Sequence, residues 1–289
     1  MRSEKEMFDL IINTAREDDR IRAVIMNGSR ANPNAPRDIF MDFDIVYLVT
    51  DSIPFHKNLE LIKRFGELMI LQMPEDMADP PPGADGHFTY LMQFMDGNRI
   101  DLGIFPLDML QEVLQDDLAV LLLDKDGIIP SLDPPSEKGF FPKPPSLKAY
   151  ADCCNEFWWV SNYVAKGLWR NEILYALFMM NDVIRVQLMK MLTWLVGVDT
   201  GFSKNPGKFG KYMQQYLSTE MWDQLLRTYP KAESNNIWQA LFTMGDLFRV
   251  AAQHVGDHFG YHYPIQDDQR VTAHLHHVQV LPSDAQEIY

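Results

Sequence analysis

Two aspartates separated by one residue, Asp42 and Asp44, carry the strongest chemical signal in the chain. They lie in an apolar run that predicts a β-strand, and side chains two residues apart on a strand point to the same face. Two carboxylates this close repel each other unless a cation neutralises them, and Mg2+ prefers oxygen ligands of this kind. The pair therefore predicts a magnesium site.

Gly28 and Ser29 follow an earlier apolar run that predicts a strand from Ile21 to Met26. A glycine at the end of a strand lets backbone N–H groups approach a phosphate closely, and a serine hydroxyl adds a further donor. We interpret these two residues as phosphate-binding, with Arg30 as a further clamp on the phosphates.

A third carboxylate, Asp101, belongs to a predicted β-hairpin. Its two strands run from Phe88 to Met95 and from Arg99 to Phe105, and they flank the turn sequence Asp-Gly-Asn. This arrangement places Asp101 on a strand beside the one that bears the aspartate pair.

The sequence Gly28-Ser29, twelve intervening residues and Asp42-Phe43-Asp44 resembles the Gly-Ser…Asp-x-Asp signature of the nucleotidyltransferase superfamily, which is related in fold to DNA polymerase beta. That superfamily usually has a third carboxylate on a later strand, where Asp101 stands. Four longer segments resemble more narrowly the aminoglycoside 6-adenylyltransferases, which modify streptomycin: NGSRANPNAP, DFDIVYLVTD, LLLDKDG and DCCNEFWWVSNYVAKGLWRNEILYA. The resemblance spans roughly residues 1 to 265.

The resemblance implies Mg2+-dependent transfer of AMP from ATP to a hydroxyl group of an aminoglycoside, the 6-hydroxyl of streptomycin, which gives antibiotic resistance. Asp42 and Asp44 would hold one or two Mg2+ ions. Asp101 would be a third metal ligand or, as in related enzymes, the general base toward the attacking hydroxyl. Lys166 is similar to a lysine of the helical domain that contacts the triphosphate in related enzymes, although it could equally satisfy the carbonyls at a helix end.

Composition limits the classes of partner. The chain has 289 residues, enough for two globular domains, and 40 acidic against 26 basic residues give a formal net charge of −14. This charge disfavours nucleic acid and anionic membranes and would attract a cationic substrate. Because no apolar run could span a bilayer and none follows a basic start, we expect a cytoplasmic protein. We also expect it to be a monomer.

The predicted fold class is α+β. An N-terminal nucleotidyltransferase domain over residues 1–135, with a polymerase-beta-like mixed sheet, is followed by a helical bundle that binds substrate over 136–265 and by a C-terminal tail over 266–289. The boundary is a stretch with six prolines between Ile129 and Pro145. A further loop is predicted at Pro80 to Gly83.

Helical patterns fill the second half. Ser146 would cap a helix that ends at Gly167, and Asn171 would cap a long apolar helix to about Val196. Further helices are predicted from Ser218 to Tyr229 and from Asn236 to about Val255.

Three residues of the second domain are candidates for substrate binding. Glu156 and Asp182 occur in apolar helical sequence, where a buried carboxylate needs a partner. Each could pair with Arg170 or Arg185, or could hold cationic groups of the substrate by charge-assisted hydrogen bonds. Trp159 belongs to an aromatic group that either packs in the core or lines a substrate pocket.

Other functions remain open at the level of sequence. A nucleotidyltransferase that modifies a protein or RNA, as in toxin–antitoxin systems, could share the signature, but such enzymes are usually shorter. A nucleotide-binding module whose catalysis has lapsed is disfavoured, because a pure binder has little reason to keep three carboxylates together. The sequence has no Gly-x-Ser-x-Gly elbow, His-Glu-x-x-His, Cys-x-x-Cys or Rossmann glycine fingerprint.

Overall fold

The computed structural model describes residues 1–79 and 86–289, so the loop predicted at Pro80 to Gly83 lies outside the described residues. The chain divides into two compact units, Met1–Gly139 and Phe140–Tyr289. The first is built on a β-sheet and the second on helices. The predicted α+β class, with a mixed sheet followed by a helical region, is therefore confirmed.

The first unit contains a six-stranded sheet. Its strands are β1 (Ile21–Met26), β2 (Phe43–Val49), β3 (Leu68–Gln72), β4 (Phe88–Phe94), β5 (Arg99–Pro106) and β6 (Val120–Asp124). They lie in the order β3-β4-β5-β2-β1-β6, and only β2 and β5 pair in parallel. The helices of this unit are α1 (Glu4–Glu17), α2 (Gly28–Ala31), α3 (Leu59–Arg64) and α4 (Leu110–Val113). The site residues predicted in this unit thus fall on or directly beside the central strands and on the short helix α2.

Local sequence explains how α1 begins and where it packs. The Ser3 side chain accepts a hydrogen bond from the Glu6 backbone N–H, and the Glu6 carboxylate accepts one from the Ser3 backbone N–H, which completes a capping box. Met7, Ile11 and Ala15 recur at helical spacing and are fully buried in the core under the sheet. The helix therefore buries one apolar face against the strands.

The second unit is helical throughout its regular structure. Its helices are α5 (Leu147–Trp169), α6 (Ile173–Phe178), α7 (Arg185–Thr200), α8 (Thr219–Arg227), α9 (Ser234–Phe259) and α10 (Ile265–Val280). The stretches of α5 to α9 were predicted to be helical, and α10 occupies the stretch described from sequence as a tail. Among the described residues, no helix has the length and apolar character needed to cross a membrane.

The helical prediction is wrong at two points. Gly167 does not end α5, because α5 continues to Trp169 and the residue with left-handed backbone is Asn171, at φ 59°. The long helix predicted from Asn171 is interrupted between α6 and α7 by a π-helical segment, Met179–Ile184. Such wide turns often occur at functional sites, and this one carries Asp182.

Gly167 serves close packing rather than helix termination. A β-carbon at this position would lie 2.9 Å from Tyr175 Cδ1 and 3.2 Å from the β-carbon of Ala176 on α6. We therefore expect Gly167→Ala to destabilise the protein by about 1 to 3 kcal/mol through overpacking, measured as a lower melting temperature. Gly245→Ala in α9 is the control, since its β-carbon would meet only the Trp158 ring, at 3.3 Å. Equal effects of the two substitutions would contradict this account.

Candidate active site

Strand register brings the aspartates together. In the parallel pair of β2 and β5, Asp44 lies opposite Asp101, and neighbouring strands are about 4.8 Å apart. Asp42 comes one residue before β2 and two before Asp44. One oxygen from each of the three carboxylates lies within 4.8 Å of the others, and this is the one such group of potential metal ligands in residues 1–79 and 86–289. The structure places Asp101 beside the aspartate pair, where the sequence predicted it.

The three carboxylates repel each other. Burial, together with the negative charges of Asp42 and Asp101, raises the pKa of Asp44 to about 7. Three oxygen ligands with this much repulsion suit a hard divalent cation, which would relieve it. The residues present therefore fit a divalent metal ion.

Gly28 leaves room for Asp44. Its φ of +71° is a left-handed conformation, and a β-carbon there would lie 2.0 Å from Asp44 Oδ2. The preceding residue, Asn27, donates its backbone N–H to the Asp44 carbonyl at 2.9 Å. The Asn27 Oδ1 atom is buried and has no hydrogen-bond partner among the described residues. The turn into α2, which also carries Ser29, is thus fitted against the carboxylate cluster.

Arg30 is held by the loop that leads into β2. Its Nε donates to the Asp42 carbonyl at 3.0 Å and its Nη2 to the Met41 carbonyl at 2.6 Å. Its Nη1 pairs with Glu4 at 2.6 Å, and the guanidinium lies 3.8 Å from the centre of the Phe43 ring. With 10% of its side chain exposed, Arg30 fixes the backbone of Asp42 in this structure.

Two charged residues near the cluster, Arg99 and Asp116, were not predicted from sequence. The Arg99 guanidinium makes two hydrogen bonds of 2.7 Å to the Asp101 carboxylate and reaches to 3.9 Å from Asp42. Asp116 adds a further negative charge that raises the pKa of Asp44. The spacing held a signal for Arg99, because it stands two residues before Asp101 on the same strand and so shares its face.

The second unit carries the remaining candidates. Glu156 and Asp182 are both exposed on their helical segments. Arg185 is instead buried against Asn181 and Thr228. Trp159 is 59% exposed, and its Nε1 donates to the Tyr163 hydroxyl at 3.0 Å.

Two cavities of the second unit are lined by the other two candidates, Trp159 and Lys166. Trp159 lines one of about 590 Å³ together with Asn155, Asn162 and Asp267. Lys166 is exposed in the last turn of α5, 4.8 Å from the centre of the Tyr163 ring, and lines another of about 440 Å³. Exposure leaves the Lys166 amine able to bind an anion.

Comparison with known protein families finds a match along most of the chain. Residues 1–278 match the family described as Streptomycin adenylyltransferase. The chain belongs to this family. Members of the streptomycin adenylyltransferase family are nucleotidyltransferases.

Individual relatives are similar along nearly the whole chain. An aminoglycoside 6-adenylyltransferase from Bacillus subtilis (strain 168) is 40% identical over 93% of this chain and 95% of its own length. One from Campylobacter jejuni is 42% identical, with 93% of each chain covered. A crystal structure of an aminoglycoside 6-adenyltransferase from Bacillus subtilis is 35% identical and covers 97% of this chain and 100% of its own, with a TM-score of 0.48.

Proposed function

We propose that this chain transfers AMP from ATP to a hydroxyl group of an aminoglycoside, with Mg2+ held by Asp42 and Asp44. The observation that carries the proposal is the cluster of three carboxylates against Gly28, in a chain 40% identical to a protein named aminoglycoside 6-adenylyltransferase. The proposed acceptor is the 6-hydroxyl of streptomycin, because the matching family is described by that antibiotic. The expected consequence is resistance to streptomycin.

The proposed reaction needs the metal ion and a small number of residues of the first unit. When bound, Mg2+ would neutralise charge on the α-phosphoryl group and on the leaving pyrophosphate. The hydroxyl oxygen of the acceptor attacks the α-phosphorus, and Asp101 accepts the hydroxyl proton. The bond between the α-phosphorus and pyrophosphate breaks. Gly28 and Ser29 hold the phosphates, and Arg30 keeps Asp42 in place through the backbone carbonyls that it binds.

The second unit supplies the proposed contacts to the cationic acceptor. Glu156 and Asp182 are exposed carboxylates that can form charge-assisted hydrogen bonds with guanidinium or amine groups. The exposed ring of Trp159 offers an apolar surface near Glu156 in sequence. Lys166 is proposed to contact the nucleotide phosphates. The net charge of −14 favours approach of a cationic substrate. We propose that the protein works as a monomer in the cytoplasm, where ATP is present.

Pyrophosphate release tests the proposal. We expect the purified protein to release pyrophosphate from Mg-ATP when streptomycin is present and to yield a product heavier by one AMP. Release should stop when the metal is removed with EDTA and should not be supported by kanamycin, which lacks the streptomycin scaffold. Tight binding of Mg-ATP with no release in the presence of any aminoglycoside would contradict the proposal and favour a nucleotide-binding module or a different acceptor.

A further inference from the structure

One guanidinium, that of Arg99, faces all three carboxylates of the cluster. It holds both oxygens of Asp101, through Nε and Nη2 at 2.7 Å each, and its Nε lies 3.9 Å from Asp42 Oδ2. Its positive charge also lowers the pKa of Asp44, against the effect of burial. Arg99 therefore supplies part of the positive charge that a metal cation would bring to the cluster.

A divalent cation in the cluster would lie close to the Arg99 guanidinium while Arg99 keeps its two hydrogen bonds to Asp101. Because the three carboxylate oxygens lie within 4.8 Å of one another, a cation that contacts them would lie within about 5 Å of the Arg99 nitrogens. At that separation, the like charges of a dication and a guanidinium repel strongly. Arg99 would also compete for the lone pairs of Asp101 that a proton from the acceptor must reach.

Arg99 has the freedom to leave. It is the first residue of β5, next to the hairpin turn, and 45% of its side chain is exposed, against 17% for Asp101 and 28% for Asp42. An arginine side chain on an exposed strand end can turn into water without moving the backbone. The backbones of Asp44 and Asp101, in contrast, are fixed by the register of the sheet, and that of Asp42 is held by Arg30.

We infer that Arg99 is a displaceable counter-ion, which offsets part of the negative charge of the carboxylate cluster before the metal arrives and releases Asp101 when the metal enters. The inference rests on the proposed metal site. Before displacement, Arg99 lowers the affinity of the cluster for free divalent metal. After displacement, both Asp101 oxygens are open to the acceptor hydroxyl. Arg99 is a positioning residue, since it acts through Asp101.

Metal binding without nucleotide tests the inference. We would titrate Mn2+ into the full-length protein and measure free Mn2+ by electron paramagnetic resonance for wild type, Arg99→Gln and Arg22→Gln. Arg22 is the matched control: it makes a two-bonded pair with Asp126 in the same unit, so its loss changes net charge equally. We expect Arg99→Gln to bind Mn2+ roughly tenfold more tightly than wild type, and Arg22→Gln to match wild type.

A second measurement, made on the wild-type protein, tests the inference even if Arg99→Gln folds poorly. The 15Nε signal of Arg99, assigned by its absence in Arg99→Lys, should lose its hydrogen-bonded shift when Mg2+ is added. Equal or weaker Mn2+ binding by Arg99→Gln relative to Arg22→Gln, or an Nε signal that Mg2+ leaves unchanged, would overturn the displacement. Absence of bound Mn2+ in every variant, even with α,β-methylene-ATP present, would overturn the metal site itself.

Discussion

Replacing both Asp42 and Asp44 with asparagine is expected to abolish adenylyl transfer. The loss should be at least about 10³-fold in kcat/KM, because the metal ion contributes several kcal/mol to stabilising the transition state. The fold should persist, since asparagine matches aspartate in shape and neither side chain is fully buried. Pyrophosphate release with streptomycin measures the effect, and Asp126→Asn is a control at a distant ion pair. Activity retained in the double variant would refute the metal assignment.

The substitution at Asp44 alone should stabilise the metal-free protein. The pKa of Asp44 is raised from 3.8 to about 7 on folding, so the folded state binds its proton more tightly and loses stability as pH rises between those values. An asparagine at this position carries no charge, and we expect Asp44→Asn to gain on the order of 1 to 3 kcal/mol over wild type at pH 8. The gain should shrink toward about pH 4. Melting curves in EDTA at both pH values would check this, and a gain that does not depend on pH would contradict it.

Gly28→Ala is the second substitution for which we expect a large effect. The new β-carbon would meet Asp44 Oδ2 at 2.0 Å, so the carboxylate or the turn must move. Metal ligands displaced by about 1 Å lose much of their affinity and positioning, and we expect a loss of roughly 10²-fold or more in kcat/KM. Weaker Mn2+ binding in the presence of an ATP analogue should accompany it.

Gly127→Ala separates this clash from backbone strain. Gly127 has φ +67°, close to the +71° of Gly28, but a β-carbon there has no neighbour within 4 Å. Both substitutions carry the cost of a left-handed alanine, about 1 kcal/mol. Only Gly28→Ala should impair metal binding and turnover. Comparable losses of activity in the two variants would show that strain, not contact with Asp44, matters at Gly28.

Local signals made much of the first unit predictable. The apolar runs of β1 and β2 and the Asp-Gly-Asn turn between β4 and β5 each act through neighbours in sequence. Strand alternation places Asp42 and Asp44 on one face, and the turn predicts the strand that carries Asp101. The parallel pairing of that strand with β2, which brings Asp101 to the pair, was predicted through the resemblance to the superfamily.

Contacts between distant residues were not predictable from one sequence. In a helical sequence, a glycine can mark either the end of the helix or a close contact with another helix. Only the positions of Tyr175 and Ala176 show that Gly167 makes a close contact. The π-helical segment leaves the pattern of apolar residues intact, so periodicity does not reveal it. The hydrogen-bond partners of Arg30 depend on the path of the loop that leads into β2. The sequence around Glu156 gave no sign that this side chain is exposed.

The parallel register of β2 and β5 also sets how this protein can change in length. Side chains alternate along a strand, so inserting or deleting one residue in β5 before Asp101 would turn its carboxylate to the opposite face. At Gly97 in the hairpin turn, by contrast, an added β-carbon would have no neighbour within 4 Å, so extra residues can be accommodated there. Among homologous chains, length differences should therefore collect in that turn and be absent from β5 up to Asp101.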